Sequence, residues 1–247
     1  MNQRRGPLIL ALDTSTACCT LALTGGTVMQ GEVLASISLN SRVKHSRRLL
    51  TAIDWMLAEA QTDWSMLDGI AVGLGPGSFT GLRIGLATAK GLATAADKPL
   101  LGVSTLDSLA SNCTSEKVIC AVIDARKKQV YTAYYKKKRS GLAERTSEIR
   151  SLDPAVLLEE IQQPTVMIGD GIFTYGELWR DGLGAMVDFA PVNLYYPSAA
   201  HIGLLSGLEL ENGRILDIAS AVPLYVRGSD ADLNLARKNR QKLEAGT

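Results

Sequence analysis

Residues 71–96 read AVGLGPGSFTGLRIGLATAKGLATAA, and the reading of this stretch decides the fold. A short apolar run enters Gly73, Gly75, Pro76 and Gly77, and a helix is expected to start near Ser78. Ser78 suits the N-cap because its hydroxyl can accept from an orphan backbone N–H of the first turn. Glycine recurs inside the helix at 81, 85 and 91, each at a cost of about 1 kcal/mol against alanine. Such a cluster implies that something comes close to the helix backbone. On a wheel of about 3.6 residues per turn, Phe79, Leu82, Leu86, Ala89 and Ala93 form one apolar stripe. Gly81, Ile84, Gly85, Thr88, Leu92 and Ala95 form a second, smoother one, and only Arg83, Lys90 and Thr94 make a polar arc. A helix apolar nearly all round is normally buried. The chain's own sheet can cover one stripe; the smooth one then needs another cover.

Two readings of the glycine turn stand side by side. A glycine turn into a helix N-terminus offers free N–H groups and a positive dipole end to a phosphate. Against it, Leu82 and Arg83 follow Gly81 where a P-loop has Lys-Ser/Thr, and no third glycine completes a dinucleotide fingerprint. The other reading is a close-packing surface, for the fold interior or for a partner.

Upstream, LILAL at 8–12 reads as a strand, Asp13 to Thr16 as a polar turn, and Cys18 to Leu23 as a second strand running into Gly25-Gly26. A third strand is expected across Glu32 to Ser38. Between 45 and 60, apolar positions at 49, 50, 53, 56, 57 and 60 predict an amphipathic helix. Trp55 falls opposite that stripe, beside Arg48, Thr51, Ala52 and Glu59. It is either a single exposed aromatic or an anchor for a partner. Downstream, VICAVID at 118–124 ends in Asp124, and a polar turn leads to QVYTAYY at 129–135. This repeats the opening order of strand, Asp, polar turn, strand. Helical stretches near 154–162, 173–180 and 198–210 and strands near 165–169 and 186–189 complete a second half. The expected organisation is two similar α/β halves, 1–108 and 109–227, followed by a polar tail, 228–247.

The 26 basic and 25 acidic side chains nearly cancel, so no broad field attracts nucleic acid or membrane. Four cysteines without CxxC spacing fit a reduced, cytoplasmic protein. No signal peptide or membrane-length apolar run is read. With only His45 and His201, far apart, no metal site of the chain's own is expected. Asp13 and Asp124, each at a strand end, are the carboxylate candidates: they hold Mg²⁺ through water or shape an Asx turn. Gly169-Asp170-Gly171 marks a strand-to-helix turn. The basic runs Tyr134 to Arg139 and Arg237 to Lys242 are phosphate-backbone contacts or solvated chain ends.

ILALDTST at 9–16, HSRRLL at 45–50, GLGPGSFTGLRIGLATAKGLA at 73–93, LGVSTLDSLA at 101–110, DAR at 124–126 with VY at 130–131, GDG at 169–171 and PLYVR at 223–227 form an ordered set. The set resembles the TsaB (YeaZ) family, subunits of tRNA threonylcarbamoyladenosine biosynthesis. The resemblance implies a duplicated actin/Hsp70/sugar-kinase-like (ASKHA) fold and a non-catalytic role. It implies docking of a TsaD-like catalytic subunit by the two helices beginning near His45 and Ser78. The interface residues would be Arg48, Ala52, Trp55, Gly81, Gly85, Thr88 and Leu92, and similar surfaces would make a homodimer. A TsaE-like ATPase and tRNA enter through the complex. The chain has no catalytic residue or cofactor of its own; ATP or ADP with Mg²⁺ belongs to the assembly. Residues that would approach a nucleotide are Asp13, Thr14, Gly75 and Gly77. Gln129 stands where many relatives have an acid, and the first turn lacks the glycine of phosphate-binding members. The rival class, a small-molecule kinase or a glycoprotease-type peptidase, rests on Asp13, Asp124 and the glycine turn.

Overall fold

A computed structural model describes residues 6–40 and 49–226. The first apolar run is β1 (Leu8–Asp13), paired antiparallel with β2 (Cys18–Gly25), which pairs antiparallel with β3 (Glu32–Asn40). On the other side of β1 lie two parallel strands, β4 (Gly69–Gly73) and β5 (Leu100–Val103), giving the order β3-β2-β1-β4-β5. The second sheet repeats this plan. Its central strand is β6 (Val118–Arg126), with β7 (Gln129–Lys137) antiparallel on one side. Two short strands, β8 (Ala143–Arg145) and β9 (Arg150–Leu152), pair with β7. Two parallel strands, β10 (Thr165–Ile168) and β11 (Val187–Phe189), extend the other side. Hairpin first, parallel crossovers second, is the same topology twice. The short repeat around Asp13 and Asp124 marks it.

The helices are α1 (Leu49–Glu59), α2 (Phe79–Ala96), α3 (Thr105–Ser111), α4 (Val156–Glu160), α5 (Gly171–Leu183) and α6 (Ala199–Glu211). Both faces of the first sheet are covered, which is why β1 and β2 read as unbroken apolar runs. On one face Leu10, Leu12, Leu21 and Leu23 meet Ile53, Met56 and Leu57 of α1 and Leu86, Ala89 and Ala93 of α2. On the other, Ile9, Ala11, Ala22 and Ala71 meet Ala199 and Ile202 of α6. Gly203 and Gly207 allow that approach: a Cβ would overlap Thr24 Oγ1 at the first and the Gly26 carbonyl at the second.

The last helices of the two halves are exchanged. Helix α3 follows the first sheet yet packs on β6, and α6 follows the second sheet yet packs on β1 and β2. The segment after α6 returns to the first sheet. Leu216 bridges Leu100, and the Leu224 N–H donates to the Leu74 carbonyl at 2.8 Å. Each half therefore completes the other's core.

The β6–β7 turn is strained. Arg126, Lys127 and Lys128 are consecutive left-handed residues, at φ 62°, 51° and 59°. This conformation costs an L-residue about 1–2 kcal/mol. Among the described residues no helix is long and apolar enough to cross a membrane.

Candidate functional site

The turn after β1 packs against the start of α2. Asp13 is fully buried. Its Oδ1 accepts from the Ser15 backbone N–H at 2.8 Å and the Ser15 hydroxyl at 2.6 Å, and its Oδ2 accepts from Thr105 Oγ1 at 3.1 Å. Thr105 Oγ1 accepts in turn from the Gly75 N–H at 3.1 Å, and the Thr105 N–H donates to the Gly75 carbonyl at 2.8 Å. Burial pushes the Asp13 carboxyl up from the usual range, and the Ser15 and Thr105 bonds pull it part of the way back. The group is an Asx-turn carboxylate that ties β1, the glycine turn and α3 together. A Cβ at Gly73 would overlap its Oδ2. Thr105 is a site residue that sequence reading misses, for it lies 92 positions from Asp13 and no local pattern joins them.

Ser78 caps α2 as expected, accepting from the Gly81 N–H at 3.3 Å. Its own N–H donates to the Ser15 carbonyl at 2.6 Å, and Thr14 Oγ1 donates to the Gly81 carbonyl at 2.7 Å. A Cβ at Gly77, Gly81 or Gly85 would overlap Ser15 O, Thr14 O or Thr14 Oγ1 respectively. These glycines are present because the chain's own first turn lies on them. This corrects the expectation for the smooth stripe: at Gly81 and Gly85 the cover is the protein itself. It also decides between the two readings of the glycine turn. Asp13, Thr14, Gly75 and Gly77 all face their own chain, with the polar groups of Asp13, Thr14 and Gly75 already paired, so they do not fit a nucleotide phosphate.

The open surface lies one position further round. Helix α2 exposes Arg83, Ala87, Gly91 and Ala95, with Ile84, Thr88 and Leu92 half-buried beside them. A Cβ at Gly91 would meet nothing within 4 Å. Arg83 is held in place: its guanidinium lies 4.1 Å from the Phe79 ring centroid, and Nε donates to the Tyr225 hydroxyl at 3.3 Å. On the same side of the sheet, α1 leaves Leu50 53% and Trp55 58% exposed. Ala52 and Leu92 are partly buried on the core beneath both helices.

In the second half, Asp124 Oδ1 accepts from the Arg126 N–H at 2.8 Å, and Oδ2 pairs with Arg126 Nη1 at 3.2 Å. The Asp124 N–H donates to Asp170 Oδ1 at 3.0 Å. Burial pushes the Asp170 carboxyl up to about 6, with the Asp124 N–H opposing and the Asp124 charge reinforcing. In the basic run, Lys137 Nζ donates to the Gly141 carbonyl at 2.8 Å, and Lys138 pairs with Glu144 at 2.7 Å. His201 is pushed toward neutrality by burial and by Lys137. Among the described residues no three His, Cys, Asp or Glu side chains gather as a metal site. His45 and the tail run lie outside the described residues.

Residues 32–232 match the family described as TsaD, tRNA N6-adenosine threonylcarbamoyltransferase. The chain is 32% identical over 229 residues to the tRNA threonylcarbamoyladenosine biosynthesis protein TsaB of Escherichia coli, covering 90% of this chain and 96% of that one. It is 34% identical over 236 residues to TsaB of Haemophilus influenzae, covering 89% and 93%. The chain belongs to the TsaB family. A solved YeaZ structure from Pseudomonas aeruginosa superposes with a TM-score of 0.70 at 31% identity, over 89% of this chain and 99% of that one. The duplicated two-sheet plan is thus the ASKHA-type fold that the sequence motifs implied.

In this member of the TsaB family, the residues assigned to an interface divide into three groups. Gly81 and Gly85 are inside the fold. Ala52, Thr88 and Leu92 are half-buried and Trp55 is exposed, all on the outer side of α1 and α2. Arg48 lies outside the described residues. Leu50, Ala87 and Gly91 join the open surface without having been singled out. Leu50 was counted with the buried stripe, and for Ala87 and Gly91 only the true rotation of α2 on its sheet distinguishes them.

Proposed function

We propose that this chain serves tRNA threonylcarbamoyladenosine biosynthesis as a non-catalytic subunit that docks a TsaD-like catalytic partner. The observation that carries this reading is the outer surface of α1 and α2. Two large apolar side chains, Leu50 and Trp55, stand exposed beside a helix whose open stripe, Ala87, Gly91 and Ala95, has almost no side-chain bulk. A partner helix can approach such a stripe at about 8–10 Å between axes, and a half-exposed tryptophan is the residue type that carries binding energy at interfaces. The locked state of Asp13 supports the non-catalytic part, since its acceptors are already used. ATP or ADP with Mg²⁺, a TsaE-like ATPase and tRNA then enter through the assembled complex, in the cytoplasm. In the absence of the partner, the same surface is available to a second copy of the chain.

The test is capture of the cognate TsaD-like subunit by the tagged chain, with Gly91→Trp and Trp55→Ala as variants. Wild type should capture the subunit, and both variants should lose it while melting as cooperatively as wild type. Failure of wild type to capture, or undiminished capture by both variants, overturns the reading.

A further inference from the structure

We propose that the β6–β7 tip, Arg126-Lys127-Lys128, is a contact for the phosphate backbone of RNA; this rests on the tRNA-modifying role above. Three consecutive residues there hold left-handed backbone, and all three are exposed. Glycine or asparagine would adopt these angles with far less strain. Instead the chain places three long cations at one point beyond the end of the sheet. The tip is also braced. Asp124 takes both the Arg126 N–H and the Arg126 guanidinium, and Asp170 takes the Asp124 N–H from beneath. Asp124 offsets Arg126, which leaves the two lysine charges as the excess at a tip of fixed shape.

The surroundings make this placement distinctive. Over the whole chain 26 basic residues face 25 acidic ones. Elsewhere in the described residues Lys117, Lys138, Arg150 and Arg214 are paired with Asp188, Glu144, Glu160 and Glu209. A nearly neutral protein with charge concentrated on one rigid hairpin tip has a local contact and no general attraction. Lysine contacts to phosphate position an RNA without reading its sequence. They also release counterions, so each contact leaves a salt signature.

The experiment is tRNA binding by the full chain, followed by fluorescence anisotropy across a salt series, for wild type and for Lys127→Gly/Lys128→Asn. This variant keeps residues that accept the left-handed angles and removes both charges. Wild type should bind tRNA with an affinity that falls as salt rises. The variant should lose about 1.8 from the log–log salt slope, at about 0.9 per phosphate contact. Its melting midpoint should equal or exceed that of wild type, and its capture of the TsaD-like subunit should be unchanged, which separates this inference from the docking role. Equal affinity and slope for the two proteins overturns the proposal, as does absence of tRNA binding by wild type at about 50 mM salt. Displacement of the tRNA from wild type by inorganic triphosphate at concentrations below that of the RNA phosphates also overturns it, in favour of a small phosphate ligand.

Discussion

The same substitution at three glycines of one helix should have opposite effects. Gly81→Ala, Gly85→Ala and Gly91→Ala each add a methyl group to α2, and helix propensity alone would stabilise each by about 1 kcal/mol. At Gly91 nothing lies within 4 Å of the new Cβ, so the gain should appear nearly whole. At Gly85 the Cβ overlaps Thr14 Oγ1, with Leu12 Cδ1 at 3.5 Å. The threonine must rotate and lose its 2.7 Å bond to the Gly81 carbonyl. A buried hydrogen bond lost together with overpacking costs about 2–3 kcal/mol, so the net is destabilising by about 1–2 kcal/mol. At Gly81 the obstacle is the Thr14 carbonyl, with its carbon at 3.1 Å. Backbone cannot swing aside, and the β1–β2 turn that holds Asp13 must move with it; a loss of about 3 kcal/mol follows from the upper end of overpacking penalties. Urea denaturation of the three variants, with slopes compared to exclude a change in the unfolded state, measures the order. Gly91→Ala should lie above wild type, and Gly85→Ala and Gly81→Ala successively below. Equal midpoints for Gly81→Ala and Gly91→Ala would refute the assignment of the glycine ridge to the chain's own interior.

Trp55→Ala should weaken binding of the TsaD-like subunit by about 2 kcal/mol or more, roughly 30-fold, while moving stability by no more than about 0.5 kcal/mol, the usual range for surface positions; calorimetric titration and melting together check it. Asp170→Asn tests the raised carboxyl. A folded-state value of about 6 against an ordinary 3.8 means that the native state holds the proton more tightly than the unfolded chain. Wild type therefore loses stability as pH rises through that window, by at most about 3 kcal/mol at 1.36 kcal/mol per unit. Asn mimics the protonated acid and still accepts from the Asp124 N–H, so the variant should gain on wild type between pH 4 and pH 7 in urea titrations, and a constant difference would contradict this. Titration of the isolated chain with ATP and Mg²⁺ should give only heats of dilution, because the turn groups are already paired; tight binding abolished by Asp13→Ala would revive the kinase reading.

The duplicated fold was legible because both its signals are local. The strand-Asp-turn-strand unit occurs twice within short spans, and α2 announces its buried stripe through Leu82, Leu86, Ala89 and Ala93, all of which are buried. Trp55 was legible as an outward residue from its place on the α1 wheel. The cover over Gly81 and Gly85 was not. A wheel shows that a face is smooth but not what lies on it, and Thr14 is 67 positions from Gly81. The exchange of α3 and α6 was hidden for a related reason, since an apolar helix carries no mark of which sheet it will reach. The tie from Asp13 to Thr105 joins groups in two separate motifs. The basic run at 134–139 read as one patch because charge is counted along the chain; in space Lys137 turns to Gly141 and Lys138 to Glu144.

Hydrogen–deuterium exchange on the full chain, alone and with its TsaD-like subunit, tests the central claim most directly. The account predicts slowed exchange concentrated in 49–59 and 79–96, with the β6–β7 tip at 124–129 unchanged. Protection that spares both helices, or no protection at saturating subunit, would contradict it.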